Sequence, residues 1–290
     1  MIPARTVVPD VRSLVFRCLM LLPGAVMGLG LIVFSLGLVV FLAFRHNDGS
    51  VLGAGWTWSN FQTILTDPLY AQVALRSVMI AGTATAATVL AAYPVAYCIA
   101  LRGGRWRSLL LFLVTLPFWT SYLLRVFAWK IVLAYNGVFN SVLVGSGILH
   151  APSLAFLNTP AAVVVTLAHA YAPFAILPIY TALEGLPRSL LEAASDLGAR
   201  PWTTFRRVVL PASVPGVLTA SMVVFIPTLG DYVTPALVGG PRSIMIGSLI
   251  QMQFGRANDW PFGAALAVAV MLVVAGGMVL GRKLSVGRQG

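Results

Sequence analysis

The sequence is poor in charge. Only 9% of its 290 residues are charged, against 59% hydrophobic, and the mean hydropathy is +0.90. A water-soluble domain carries about 25% charged residues, so this chain cannot cover a soluble surface. It has eight acidic residues and two cysteines. Cys18 and Cys98 both lie in or beside apolar runs, which argues against a disulfide or a metal pair. Of the basic residues only Lys130 and Lys283 are lysines, and neither sits in a Gly-x-x-x-x-Gly-Lys-Ser/Thr loop, so the chain has no phosphate-binding loop of its own. His46, His150 and His169 are far apart and lack metal-ligand spacing. There is no Gly-x-Ser-x-Gly elbow. A pair of membrane-depth aspartates is also missing, since only Asp231 is a candidate. These absences exclude a disordered chain, a disulfide scaffold and an enzyme, and leave no catalytic or metal site to assign.

What is present is a set of long uncharged runs. A spanning helix needs about 20 apolar residues. Cys18 to Phe44 is uncharged and gives a first span, too long for a signal-peptide core. Ser77 to Leu101 gives a second, and Ser108 to Leu124 most of a third. Pro160 to Leu183 gives a fourth. A fifth lies mostly within Pro215 to Leu237, and Trp260 to Gly281 gives the sixth. The expected class is an all-α polytopic membrane protein with six transmembrane helices. Pro94, Pro117, Pro173, Pro178 and Pro227 fall inside these runs and predict bends.

The arginines sort the loops. The N-terminal segment 1–17 carries Arg5, Arg12 and Arg17, and the loop between the second and third runs carries Arg102, Arg105 and Arg107. The loop between the fourth and fifth carries Arg188, Arg200, Arg206 and Arg207. The tail 282–290 carries Arg282, Lys283 and Arg288. Together these are thirteen of the 19 basic residues. With six spans they fall on one side, so the positive-inside rule places both termini in the cytoplasm. The net charge of +11 is thereby read as sidedness rather than as nucleic-acid binding. The other side has loops at His46–Tyr70, Tyr135–Thr159 and Gly239–Asp259. The last encloses Ile244–Phe254, long enough for a short helix but not for a span.

The longest basic loop, 184–211, reads as helix, break, helix. Pro187 suits a helix start. Leu190, Leu191, Ala194 and Leu197 recur at helical spacing, and Gly198 stands where a helix end wants a left-handed residue. Pro201 restarts a helix, with Trp202 and Phe205 as apolar anchors. A helix too short to span and too apolar for water calls for a partner's groove or for the lipid surface.

Glu192-Ala193-Ala194, then Gly198, then Val208-x-Leu210-Pro211 is similar to the signature of permease subunits of binding-protein-dependent ABC importers, Glu-Ala-Ala…Gly…Ile-x-Leu-Pro, with Val208 in place of Ile. The resemblance covers a five-helix core, residues 75–281, with the run 18–44 as an additional first helix. It implies the type I ABC importer permease fold in the bacterial inner membrane. In that family this segment forms coupling helices docked on a separate ATP-binding subunit. It implies Leu190, Glu192, Ala193, Ala194, Asp196, Leu197, Gly198, Arg200 and Pro201 as the coupling surface. It also implies a second permease subunit, two ATP-binding subunits that hold ATP and magnesium, and a solute-binding protein. No cofactor is implied in this chain.

Leu116–Trp129, Phe225–Pro241 and Asn258-Asp259-Trp260-Pro261 resemble, more narrowly, the first permease subunit of spermidine/putrescine importers. Where those have Glu after Leu-Gly, this chain has Asp231. A polyamine needs carboxylates for its ammonium groups and aromatic faces for its methylenes. Asp48, Asp67, Asp231 and Asp259 fall on the external half. Asp231, Tyr232, Trp119, Tyr122 and Trp129 could line a path, with Arg125 nearby. Two alternatives stand beside this: an Asp231–Arg125 ion pair joining two spans, and an aromatic belt at the membrane interface. For the whole chain the alternatives are an importer of another small solute, an ion-coupled carrier working alone, and a membrane scaffold. The last two leave the loop motif without a use.

Overall fold

The computed structural model describes residues 11–286. The N-terminal segment 1–17 and the tail 282–290 therefore lie partly outside the described residues. Among the described residues five helices are long and apolar enough to cross a membrane, and a helix pair bent by 89° makes a sixth if counted as one span. The chain is thus helical and polytopic, as expected. It divides into two units, residues 1–64 with 253–290, and residues 65–252.

In the first unit, α1 (Val11–Ala43) packs on α12 (Trp260–Val286), with Leu42 and Ala43 buried against Ala264, Ala265 and Val268. Among the described residues, the one departure from helical structure is a short antiparallel hairpin, β1 (Arg45–His46) with β2 (Ala54–Trp56). The Asn60 amide, on α2 (Ser59–Thr66), fastens it by donating to the carbonyls of Ala43 and Arg45 at 3.1 and 2.9 Å.

The second unit is built on three helices, α3 (Pro68–Tyr97), α7 (Pro160–Glu184) and α10 (Leu210–Leu229). Proline at the first helical position and an oxygen-bearing residue before it start two of them. Asp67 accepts from the Leu69 amide at 2.8 Å, and Thr159 from the Ala162 amide at 3.2 Å. Small residues let these helices approach closely, the device that packs helices where lipid supplies no hydrophobic drive. Ala92, Ala96, Ala175 and Ala220 are buried together with Ile176, Ile179 and Val224. At Gly216 on α10, a Cβ would stand 2.5 Å from the Ala182 Cβ and 2.8 Å from the Pro178 carbonyl. Pro173 and Pro178 lie inside α7 without ending it.

Two span expectations are corrected. The third run is not one helix over Ser108–Leu124. It forms α4 (Arg107–Thr115) and a 3₁₀ turn at Leu116–Trp119, then turns into α5 (Tyr122–Val132). Pro117 has no amide to continue the ladder, and Thr120 and Ser121 are extended, with ψ of 141° and 136°. The fifth span ends at Leu229 rather than reaching Leu237, because Gly230 and Asp231 open a new turn that includes Pro235–Gly239. Between these stand α6 (Val138–Gly145), α8 (Arg188–Asp196) and α9 (Pro201–Thr204). The short helix expected at Ile244–Phe254 is α11 (Ile246–Gly255).

Candidate functional site

The loop that follows α7 holds α8 outside the bundle. None of its residues is buried. Its C-terminus closes as the glycine predicted. Gly198 has φ +70°, its amide bonds the Ser195 carbonyl at 2.8 Å, and the Ala199 amide reaches back to the Ala194 carbonyl at 3.0 Å. These two bonds define a Schellman cap, and the left-handed residue they require is cheapest as glycine. Pro187 sits one residue earlier than expected, as the cap before Arg188.

The apolar stripe of α8 occupies about 120° of the helix and is covered along one edge only. Leu191 and Ala194 are half-buried, and Leu191 packs on the core beneath. Leu190 is 49% and Leu197 88% exposed, and Glu192, Ala193 and Asp196 are exposed beside them. The cause is geometric: at about 100° per residue, positions 190 and 197 nearly coincide while 191 and 194 lie to one side. The outward face combines two leucines with two carboxylates. Asp196 stands at the negative end of the helix dipole, a placement unfavourable within the chain. Arg200 and Pro201 are exposed at the restart. Of the two anchors, only Phe205 is seated, edge-on to Tyr93 and Tyr97, while Trp202 is exposed and stacks on Phe205.

Sequence reasoning did not single out the pair that fastens this loop. Arg107, at the start of α4, forms an ion pair with Glu184, the last residue of α7, and lies over the Tyr180 ring with its Cζ 5.0 Å from the centroid. The turn after α3 and the base of the loop 184–211 are therefore joined. Arg107 had been visible only as one of several basic loop residues.

At the elbow between α4 and α5 the expected residues separate. Trp119 is 82% exposed and Tyr232 47%, while Trp129 is half-buried against the His169 ring. The Asp231–Arg125 ion pair does not form. Arg125 donates instead to the carbonyls of Pro117 and Thr120 and, at 2.9 Å, to that of Ala170 on α7. The broken helix leaves carbonyls without intrahelical partners, and a guanidinium with five donors satisfies them.

Asp231 is 8% exposed and its carboxylate takes four donors. Oδ1 accepts from the Val233 and Thr234 amides at 2.9 and 3.4 Å, and Oδ2 from the Tyr122 and Thr234 hydroxyls, each at 2.5 Å. The two hydroxyl oxygens stand 2.7 Å apart. Three oxygens thus meet in a triangle with two hydroxyl hydrogens for its three edges. Among the described residues, the other three aspartates expected on the external half make local bonds. Asp67 caps α3, Asp259 bonds the Phe262 amide at 3.0 Å in the first turn of α12, and Asp48 bonds Ser50. Those Ser50 bonds hold the Asp48 carboxyl below its ordinary pKa. Only Asp231 of the four also gathers a side chain from another helix. From Tyr122 a run of rings continues to Tyr171, Phe174 and Phe118, with centroids 6.3, 5.9 and 4.6 Å apart. Phe118 stands in the stretch Leu116–Trp129 but was given no role there, and Tyr171 and Phe174 lie in no motif that sequence reading singled out.

The chain is helical and multi-pass, with a broken span and an exposed, capped helix between spans. The chain belongs to the family "Binding-protein-dependent transport system inner membrane component", which it matches over residues 89–284. It is 39% identical over 238 residues to the "Spermidine/putrescine transport system permease protein PotB" of Haemophilus influenzae, covering 82% of this chain and 83% of that one. It is 35% identical over 276 residues to the "Inner membrane ABC transporter permease protein YdcU" of Escherichia coli, covering 86% and 87%. A solved bacterial alginate ABC transporter, in complex with an alginate pentasaccharide-bound periplasmic protein, contains a chain of the same fold. Its TM-score is 0.65 at 18% identity, over 91% of this chain and 92% of that one. The protein is therefore a multi-pass permease subunit of the inner membrane, with the importer fold expected from the loop motif.

Proposed function

We propose that this chain forms half of the translocation path of an ATP-driven importer of polyamines, spermidine or putrescine. The observation that carries the solute is the 39% identity, over 82% of the chain, to a spermidine/putrescine permease. Its partners are a second homologous permease, two ATP-binding subunits holding ATP and magnesium, and an external solute-binding protein. Both termini lie in the cytoplasm, and the chain itself needs no cofactor.

The coupling surface is Leu190, Glu192, Ala193, Ala194, Asp196, Leu197, Gly198, Arg200 and Pro201. The exposed leucines enter an apolar groove and the two carboxylates meet basic groups of the ATP-binding subunit. Closure of that subunit moves α8, and the Arg107–Glu184 pair carries the movement into both α7 and α4. Differential binding of the partners to inward- and outward-facing states then drives alternating access.

The solute path runs along the rings toward Asp231. An ammonium group supplies the donor that the three-oxygen triangle lacks, and the methylenes between ammonium groups lie along Tyr122, Tyr171, Phe174 and Phe118. Tyr232, Trp119 and Trp129 stand at its margin. Arg125 is turned away, with its charge spent on backbone carbonyls. The test is uptake of radiolabelled spermidine and putrescine by cells carrying the four-component system but lacking other polyamine carriers. Uptake that requires the ATP-binding and solute-binding subunits is the expected result. ATP-dependent uptake of another solute, indifferent to excess polyamine, overturns the polyamine assignment.

A further inference from the structure

Between the last part of α3 and α4 lies an apolar groove of about 490 Å³, lined by Pro94, Val95, Cys98, Ile99, Leu110, Leu113 and Val114. Its origin is local. Pro94 brings no amide to the ladder, and from Cys98 to Arg102 the helix widens into a π turn. The Cys98 amide is shared between the Pro94 and Val95 carbonyls. Turns of this kind interrupt the regular ridges of a helix and recur at functional sites. The two arms run antiparallel about the turn 103–106, so the groove starts one helical turn in from that end. At 1.5 Å per residue it reaches about 12 Å from Arg102 to Pro94, within the roughly 15 Å that one leaflet contributes to the hydrocarbon core.

The end of the groove is charged with one sign. Arg102 and Arg105 are exposed, and neither has a carboxylate partner among the described residues. Arg105 lies over the Trp106 ring, with its Cζ 5.4 Å from the centroid. Trp106 is itself 56% exposed, as an aromatic at the interface level is expected to be. Arg107 faces the other way, toward Glu184.

We propose that this groove is a binding site for an anionic phospholipid, with an acyl chain along Pro94, Cys98, Leu110 and Leu113 and the phosphate at Arg102 and Arg105. Charge complementarity selects the occupant. A second protein helix needs the apolar walls but not two unpaired arginines at their rim. A lipid needs both, at the spacing of one leaflet, and basic pockets between spans are a recurrent way to hold anionic headgroups.

The test uses the assembled importer in nanodiscs of phosphatidylethanolamine with a minor fraction of palmitoyl-oleoyl-phosphatidylglycerol, and native mass spectrometry of the lipids it retains. The wild type should retain phosphatidylglycerol in preference to phosphatidylethanolamine. Arg102→Gln and Arg105→Gln should each reduce that preference about fivefold. Leu113→Trp, which fills the groove, should remove the retained lipid, and its membrane level is compared with wild type. Since Leu113 is exposed, Leu113→Ser provides a second variant that makes the wall polar without adding bulk. The alternative is that the partner permease covers the groove. Cys98, in a Cys18→Ser background, should react with a thiol probe in phosphatidylethanolamine discs and be protected by added phosphatidylglycerol. Retention indifferent to headgroup and to both arginines overturns the proposal. So does a Cys98 that is blocked in both lipids and crosslinks in high yield to the partner permease. Neither result touches polyamine uptake, which is read separately.

Discussion

Gly198 offers the cleanest separation of backbone from side-chain effects. Its φ of +70° closes the Schellman cap of α8, and a Cβ built there meets nothing within 4 Å. Gly198→Ala therefore adds no collision within the chain. Its cost is conformational, about 1–2 kcal/mol for an L-residue held in the left-handed region. Such a cost lowers the fraction of correctly capped loop about 5- to 30-fold if no other contact compensates. Little compensation is available, because α8 has nine residues, none buried, and isolated helices of that length are marginal in water. Asparagine visits the left-handed region readily, so Gly198→Asn should keep most of the cap. Gly198→Leu should resemble Gly198→Ala, since its strain is set by φ.

The assay is spermidine uptake at equal membrane levels, together with solute-stimulated ATP hydrolysis by the reconstituted complex. Uptake should fall in the order wild type, Asn, then Ala and Leu together. The thermal midpoint should hardly move, because the strained turn is peripheral to the core. Wild-type uptake in Gly198→Ala would refute the claim that the cap positions the helix. Loss in Gly198→Asn equal to that in Gly198→Ala would refute the conformational argument. It would point instead to a partner surface that tolerates no side chain.

Other positions give sharper separations of role. Asp231→Asn keeps an oxygen for the Val233 and Thr234 amides, so uptake should fall about 10- to 100-fold, the worth of a hydrogen bond to a charged group, with little change in thermal midpoint. A midpoint lowered as much as in Asp231→Ala would reduce Asp231 to a cap. Arg125→Gln should lower thermal stability by removing the guanidinium bonds to the carbonyls of Pro117, Thr120 and Ala170. Adding Asp231→Asn should not restore it, whereas rescue in the double variant would reinstate an ion pair. Gly216→Leu should abolish assembled protein, because overpacking there strikes backbone as well as Ala182; normal membrane levels on a quantitative blot would contradict the close crossing of α7 and α10.

What could be read from the sequence was whatever depends on composition or on local backbone. Spans are set by apolar length, and the lipid admits few other solutions. The cap at Gly198 is written in the residues that form it, so it was legible to the residue. The third and fifth runs misled because hydropathy does not register a break. Leu116 to Leu124 is as apolar as a continuous helix, and its 89° bend follows from Pro117 and the two extended residues Thr120 and Ser121.

Arg125 shows why charge alone is a poor guide to pairing inside a bundle. Opposite signs at similar depth suggested that it meets Asp231. Yet a guanidinium beside a broken helix finds several carbonyls at once, and a carboxylate beside the start of a new turn finds amides and hydroxyls. Arg125 reaches the Ala170 carbonyl on α7 and Asp231 the Tyr122 hydroxyl on α5, so both find partners on other helices without the two charges meeting. A buried carboxylate held only by neutral donors is left with its charge formally unbalanced. In a membrane that is costly, about 2.5–3.5 kcal/mol on insertion scales at a helix centre. On the path proposed above, a cationic solute arriving along the rings from Phe118 to Tyr122 would offset that cost only while it is bound. On that proposed path, the same imbalance that makes Asp231 expensive at rest would give a preference for cations, without any group that would hold the solute permanently.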